Sequence, residues 1–204
     1  MQVNEKYGQL ASDDSIRKTI KNLTERWIRV FLVGNKKEAT EKILEFIPRH
    51  SEVMTMTSVT LNELGIDILI NESDNLISIR HQLMKGNLER IEKLRIASAH
   101  EWSVWSVHAI TEDGQVLIAS ATGSQLGSYA YGAPNVLWVV WSQKIVKNLD
   151  EAMERIQEYC LPLENERALK AYGTGSGINK ILLVNQEVTP GRIHIILVKE
   201  KLWF

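Results

Sequence analysis

The chain has 204 residues, with 24 Lys plus Arg against 25 Asp plus Glu, 44% hydrophobic residues and a formal net charge of −1. These values exclude a disordered, collagenous or coiled-coil chain, and the lack of a basic excess argues against a nucleic-acid partner. The single cysteine, Cys160, allows neither an internal disulfide nor a cysteine metal cage. We find no secretory-signal pattern and no window of roughly 20 apolar residues, and we expect a soluble cytoplasmic protein.

The first half of the chain alternates between helix and strand patterns. Apolar residues at helical spacing predict a helix from Asp13 to Trp27, with Ser12 as its N-cap. The apolar run from Arg29 to Val33 predicts a strand that is covered on both faces. Alternating strands and helices are typical of an α/β fold. The patterns that follow predict a helix over 35–47, a strand over 52–57, a short helix over 59–64, a third strand over 66–70 and a helix over 83–95.

The second half carries the clearest strand signals. Asp113-Gly114 lies between the apolar runs 106–111 and 115–121, which is a strong signal for a β-hairpin. Residues 135–142, NVLWVVWS, carry no charge, and we therefore expect this strand to be central in the sheet.

The C-terminal part of the pattern contains one long helix and two strands. The helix begins at Asn148 and continues toward Tyr172, and the strands cover 180–185 and 192–199. No repeat or linker composition divides the chain. We predict one mixed α/β domain over 27–204, with residues 1–26 as a helical appendage.

The stretch from Ser120 to Gly132 is the best candidate for an anion site. It follows a strand and carries Thr122, Gly123 and Ser124, whose small side chains leave several donors open to a phosphate or a carboxylate. A tight turn that only packs explains the same residues. The turn at 34–35, before the second helix, is a weaker candidate, because nearly every α/β protein contains such a turn.

Other chemical signals favour structural roles. The glycine-rich segment from Gly173 to Gly177 follows a helix and opens a strand, the reverse of a dinucleotide-binding loop, and so predicts a connector. The five histidines lack metal-ligand spacing, and we predict neither a metal nor a cofactor. Cys160 on a helix face is interpreted as a small buried hydrophobe.

Two further residues are candidates for charge or proton transfer. His108 lies in the strand before the hairpin, where a near-neutral pKa suits acid–base catalysis beside Thr122; a structural histidine is the alternative. Lys144 follows the 135–142 strand, and open α/β sheets bind ligands where their strands end. A solvated lysine is the alternative there.

From Trp105 onward the sequence resembles a known family. The segments that carry the resemblance are VHAITEDGQVLIASATGS, QKIV, NLDEAMERI, PLENERAL and GRIHIILVKEKLWF. They are similar to the LutC/YkgG family, whose members contain the lactate-utilisation (LUD) domain. The resemblance implies the Rossmann-like, mainly parallel sheet of the NagB/RpiA/CoA-transferase-like fold. It also implies a role near the oxidation of lactate to pyruvate, where such proteins accompany iron–sulfur subunits.

The chain departs from the family pattern at polar positions. His108 stands where the family pattern S-V-N-A-I-T has Asn, Ser124-Gln125 replaces Asn-Arg after the Thr-Gly pair, and Gln143 replaces Asn before Lys144. Many relatives carry cysteines after the long helix, whereas this chain has GTGSGINK, so the resemblance implies no metal site for this member. The matching positions are the Thr-Gly pair at 122–123 and Lys144.

Two functions follow as hypotheses. In the first, the protein binds a small carboxylate or a phosphorylated metabolite: Thr122, Gly123 and Ser124 donate hydrogen bonds, Lys144 neutralises charge, and His108 moves a proton if a reaction occurs. In the second, it is a non-catalytic interaction subunit or accessory protein of an oxidoreductase complex, with iron–sulfur subunits as partners. A homo-oligomer is compatible with both. The anchors in the second hypothesis are exposed tryptophans at Trp102, Trp105 and Trp203.

Overall fold

A computed structural model describes residues 2–85 and 87–201, which form two β-sheets and the helices that cover them. In chain order the strands are β1 (Arg29–Val33), β2 (Glu52–Thr55), β3 (Ile77–Ser78), β4 (Trp102–Trp105), β5 (Ala109–Thr111), β6 (Val116–Ser120), β7 (Asn135–Trp141), β8 (Ile145–Val146), β9 (Lys180–Val184) and β10 (Ile193–Val198). The helices are α1 (Asp13–Glu25), α2 (Lys36–Phe46), α3 (Val59–Leu64), α4 (Ile66–Asn71), α5 (Ile79–Lys85), α6 (Arg90–Ser98), α7 (Leu149–Arg155) and α8 (Leu161–Tyr172).

The first sheet contains six parallel strands in the order β1-β10-β7-β4-β2-β3. Strand β7 pairs with β10 on one side and with β4 on the other, and its residues from Val136 to Trp141 are all buried. The central position predicted for residues 135–142 is therefore confirmed. The predicted α/β fold with a mainly parallel sheet is also confirmed.

Alternate residues of the central strands build two separate cores. In β7, Trp138 and Val140 face the core that includes α1 and the second sheet, whereas Val139 and Trp141 face the core covered by α2, α3 and α4. This alternation follows from the two-residue period of a strand. Both faces of the central strands are thus buried, as is usual in parallel sheets.

The second sheet has the strand order β8-β5-β6-β9 and mixed directions. Its strands β5 and β6 are antiparallel and flank the turn at Asp113-Gly114, so the predicted hairpin is confirmed. Gly114 has a φ of +86°, and an added Cβ would lie 2.8 Å from the backbone carbonyl carbon of Asn22 in α1. The turn therefore needs glycine both for its conformation and for its close approach to α1.

Helices α7 and α8 form one continuous helical rod, joined by the π-helical turn Ile156–Cys160. Asn148 caps the rod, because its side-chain oxygen accepts a hydrogen bond from Glu151 N–H at 3.0 Å. The predicted helix from Asn148 to Tyr172 is confirmed. Gly173, with a φ of +71°, ends the rod, and the following glycine-rich segment connects α8 to β9, as predicted.

The predicted third strand over 66–70 is wrong, because these residues form helix α4. Gly65 adopts a left-handed conformation that ends α3 and lets a second helix start at once. Ile66 and Ile70 are four residues apart and both are fully buried, which is the spacing of a helix face. A short run of isoleucines is equally compatible with a strand, so the sequence pattern is ambiguous there.

Two other details of the first half also differ from the predictions. The single helix predicted over 83–95 is replaced by α5 and α6, and residues 87–89 lie outside both helices. Strand β1 lies at the edge of the sheet and leaves Leu32 47% exposed, so it is not covered on both faces. An apolar run does not distinguish an edge strand from a central one.

Helix α1 starts as predicted, with Ser12 Oγ accepting a hydrogen bond from Ser15 N–H at 3.2 Å. Ile16 and Leu23 of this helix lie in the core on one face of the six-stranded sheet. The division of the chain between residues 26 and 27 stays a prediction. In the described ranges, no helix has the length and apolar character needed to cross a membrane.

Candidate functional site

A cavity of about 240 Å³ opens where three parallel strands of the first sheet end. Its walls include the loop 56–60 after β2, residues 105–108 at the end of β4, and Lys144 shortly after β7. Residues of the loop after β6 and of the helical rod complete the enclosure. The carboxyl ends of parallel strands are the usual ligand-binding edge of open α/β sheets, so the fold itself favours a site here.

Lys144 is the only lysine among the residues that line this cavity in the described structure, and it is buried, with 4% of its surface exposed. Its Nζ lies 3.0 Å from Ser106 Oγ and 3.4 Å from Thr60 Oγ1. Burial, together with the nearby positive charge of Arg155, lowers the pKa of Lys144 to about 7. The amine is therefore divided between its charged and neutral forms near neutral pH.

Arg155 places a second cation beside the cavity. Its side chain is fully buried, and its guanidinium donates hydrogen bonds to the carbonyl oxygens of His108 and Gln143 and to Cys160 Sγ. Its Nη2 has no hydrogen-bond partner among the residues that the structure describes. A guanidinium keeps its charge in proteins, so Arg155 contributes a permanent positive potential to this region.

His108 lines the cavity as a neutral imidazole. Its Nδ1 accepts a hydrogen bond from Ala119 N–H at 3.2 Å, which leaves the proton of the neutral ring on Nε2. Burial lowers the pKa of His108 to about 3, and the charges of Lys144 and Arg155 act in the same direction. The pKa thus lies well below the near-neutral value assumed from the sequence, and the ring is a hydrogen-bond donor through Nε2–H at physiological pH.

The loop after β6 forms a tight turn with its own hydrogen bonds. Gly123 has a φ of +83°, and its N–H donates to Ser120 Oγ at 2.8 Å. Thr122 Oγ1 donates to Ser124 Oγ at 3.2 Å, and both of these side chains line the cavity. Gly123 itself faces Lys180, whose Cδ would lie 2.6 Å from an added Cβ. The hydroxyls of Thr122 and Ser124 therefore line the cavity, whereas the Gly123 amide is used within the turn.

The mouth of the cavity is lined by a carboxylate–guanidinium pair on α8. Arg167 Nε and Nη2 lie 2.7 and 2.6 Å from the two carboxylate oxygens of Glu164, and both side chains remain partly exposed. Tyr172 at the end of α8 shares a side-chain hydrogen bond with Thr57 in the loop after β2. The contact of Tyr172 with Thr57 joins the helical rod to the loop after β2.

The structure brings together four of the five residues predicted from the sequence. His108, Thr122, Ser124 and Lys144 all line the cavity, and Gly123 shapes the turn beside it. Their roles stay predictions, since proximity alone does not define a function.

Sequence reasoning missed several neighbours of these residues. Arg155 had a usable signal, because it lies between Ala152 and Ile156 on the buried face of a helix, and a charged residue in such a position is rarely fully buried without a specific role. Thr60, Ser106 and Arg167 had no comparable signal, because only the fold brings them to Lys144 or to the cavity mouth.

The other candidate sites are accounted for by internal contacts. At the turn 34–35, the N–H of Gly34 donates to Glu38 Oε2 at 2.7 Å, and the N–H of Lys36 donates to Glu200 Oε2 at 2.8 Å. The helix end therefore already binds carboxylates of this chain. Residues 2–85 and 87–201 contain no group of three or more His, Cys, Asp or Glu side chains that could hold a metal ion.

The tryptophans proposed as partner anchors are largely inside the protein. Trp102 is 7% exposed, and Trp105 is partly buried against both cores. Trp203 lies outside the described residues. Trp27, which was not among the proposed anchors, is 48% exposed.

Taken together, the geometry defines an α/β protein with an electropositive cavity at the carboxyl edge of its parallel sheet. The LUD domain family model matches residues 16–198, and the chain belongs to that family. No curated protein matches the sequence.

Two solved structures are similar to this chain to different degrees. A DUF162 family protein from Deinococcus radiodurans is similar to this chain with a TM-score of 0.59 at 10% sequence identity, over 93% of this chain and 99% of that one. A D-ribose-5-phosphate isomerase in complex with phospho-erythronic acid has a TM-score of 0.34 at 17% identity, over 64% of this chain and 66% of the isomerase. This chain shares its fold with the DUF162 family protein.

Proposed function

We propose that this protein is a LutC/YkgG-type member of the LUD domain family, with a role in lactate or other organic-acid metabolism. In this proposal it binds a small carboxylate or a phosphorylated metabolite in the cavity beside Lys144. A cytoplasmic location, and iron–sulfur oxidoreductase subunits as neighbours, belong to the same proposal. They are supported by the family membership and by the sequence composition.

An anionic ligand is inferred from the burial of the Lys144 amine against hydroxyl groups at the cavity wall. Burying a charge costs free energy unless an opposite charge or several hydrogen bonds offset the loss of water. Arg155 adds to this cost, because its positive charge repels the protonated amine. An anion in the cavity would offset both charges at close range.

The remaining cavity residues suit recognition of the same anion. The hydroxyls of Thr122 and Ser124 donate to Ser124 Oγ and Gln125 Oε1 and can rotate to donate to the oxygens of the anion instead, while Gly123 provides the turn that presents them. The neutral ring of His108 can donate a hydrogen bond to the ligand from Nε2–H. The cavity of about 240 Å³ is of a size for a small metabolite.

A thermal-shift panel tests the proposal directly. Lactate, pyruvate, sugar phosphates and CoA thioesters are compared, since a ligand that binds only the folded state stabilises it by about 2.7 kcal/mol at 100 times its dissociation constant. We expect a selective rise in the unfolding temperature with a small anion. The rise should disappear in Lys144→Met and persist in Lys147→Met, which removes an exposed lysine three residues away. A flat panel would overturn the ligand-binding proposal.

A further inference from the structure

We propose that Lys144 acts as a covalent nucleophile, whose amine condenses with the carbonyl group of a small anionic aldehyde or ketone to form an imine in the cavity. This inference rests on the proposed function, because the same cavity has to admit the anion. It adds a substrate class, namely carbonyl compounds that carry a carboxylate or a phosphate. It also adds a covalent bond between Lys144 and the ligand, which simple anion binding does not require.

The surroundings of the Lys144 amine differ from those of exposed lysines in the same chain. Lys170 Nζ lies 2.5 Å from a carboxylate oxygen of Glu166, and Lys199 Nζ lies 2.6 Å from one of Asp13. Such pairing favours the charged ammonium, which is not nucleophilic. The hydrogen bonds of Lys144 instead go to hydroxyls, which can donate to a neutral amine as well as accept from a charged one.

The charges around Lys144 also favour the neutral amine. Burial has the largest effect, and the positive Arg155 acts in the same direction; Cys160 and Glu63 oppose it more weakly. His108 is neutral near pH 7 and therefore contributes no net charge beside the amine. Lysines that are desolvated or placed beside another cation are the ones that enzymes use to form imines.

The cavity provides the route by which a carbonyl reaches Lys144. The residue is only 4% exposed, yet it is part of the cavity wall, so a reagent has to enter the cavity to touch Nζ. Ser106 Oγ, 3.0 Å from Nζ, is placed to pass a proton between the amine and the carbonyl oxygen. The hydroxyls of Thr122 and Ser124 also line the cavity; their protons point to Ser124 Oγ and Gln125 Oε1, and would turn to the anionic group of the ligand when it binds.

The reaction needs no oxidant, reductant or cofactor. The lone pair of the neutral Nζ forms a bond to the carbonyl carbon, and a proton moves from nitrogen to the carbonyl oxygen, giving a carbinolamine. The carbinolamine then loses its hydroxyl group and the second nitrogen proton as water. The products are one imine and one water molecule, so atoms and charge balance.

Reductive trapping tests this step in the full-length protein. The protein is incubated with sodium cyanoborohydride and either pyruvate or ribose 5-phosphate, and the modified lysine is located by peptide mass spectrometry. With pyruvate, we expect Lys144 to gain the mass of pyruvic acid less one oxygen atom. Labelling at Lys144 should exceed that at exposed lysines by about tenfold or more at pH 7, because an ordinary lysine amine is almost wholly protonated there. The two reagents distinguish an oxo acid from a sugar phosphate.

Control variants separate this inference from the proposed function. Lys144→Arg keeps a positive charge but cannot form the imine, and it should abolish the adduct; Lys147→Met should retain it. Selective labelling should also disappear in protein unfolded with urea, a control that does not depend on any variant folding. A thermal shift with pyruvate and no Lys144 adduct would refute the covalent step and leave the anion site intact. No shift and no adduct would refute both, and equal labelling at all lysines would refute the covalent step.

Discussion

At the scale of single residues, the burial of Lys144 makes a prediction about stability and pH. Its pKa is about 7 in the folded protein, below its ordinary value of 10.5, so between these pH values the unfolded chain binds more protons and the free energy of unfolding rises with pH. Below pH 7 the folded state carries the full cost of the buried charge. Lys144→Met should therefore stabilise the protein by about 1–3 kcal/mol at pH 6, with the gain shrinking toward pH 10.

Urea unfolding at pH 6 and pH 9.5 measures this difference. Lys147→Met is the matched control, because Lys147 is exposed and its replacement should change the free energy of unfolding by less than about 0.5 kcal/mol at either pH. If Lys144→Met is less stable than the parent protein at pH 6, the charge of Lys144 is compensated in the folded state and this prediction is wrong.

At the scale of secondary-structure elements, the hairpin between β5 and β6 depends on Gly114. An alanine there would adopt a strained positive φ and would press its Cβ against the backbone of α1 at Asn22. We expect Gly114→Ala to lower the free energy of unfolding by about 1–3 kcal/mol. Gly127→Ala is the control, because Gly127 has a helical φ of −63° and nothing lies within 4 Å of an added Cβ. Similar thermal unfolding of the two variants would contradict this account of the hairpin.

At the scale of the whole molecule, ligand binding, protonation of Lys144 and folding belong to one thermodynamic cycle. An anion in the cavity favours the charged amine, so it should raise the pKa of Lys144 and bind together with a proton. Above pH 7 the dissociation constant should increase by up to about tenfold per pH unit.

Isothermal titration calorimetry in buffers of different ionisation enthalpy measures this proton uptake. The anion with the largest thermal shift is used, and Lys144→Arg should remove the pH dependence; an unchanged affinity from pH 6 to pH 9 would contradict the linkage.

Elements whose signals are local could be predicted from the sequence. The Ser12 cap, the turn at Asp113-Gly114 and the Asn148 cap depend on neighbours within a few residues, and all three occur as predicted. The 66–70 segment was mistaken for a strand because its helical conformation depends on the left-handed Gly65 and on packing against the sheet. A short apolar run contains too few residues to show whether its apolar positions repeat with the period of a helix or of a strand.

For the candidate site, the types of chemical group and the strand ends near which they lie can be inferred from the order of residues along the chain. This order places Lys144 after a central strand and hydroxyls around Gly123, because the order of strands and turns is encoded locally. The tertiary structure decided how these groups behave. Ser106 and Thr60 reach Lys144 from 38 and 84 residues away, and Arg155 approaches from a separate helix. Burial and charge at such sequence separations arise only when the chain folds, and they lower the pKa of Lys144 and keep His108 neutral.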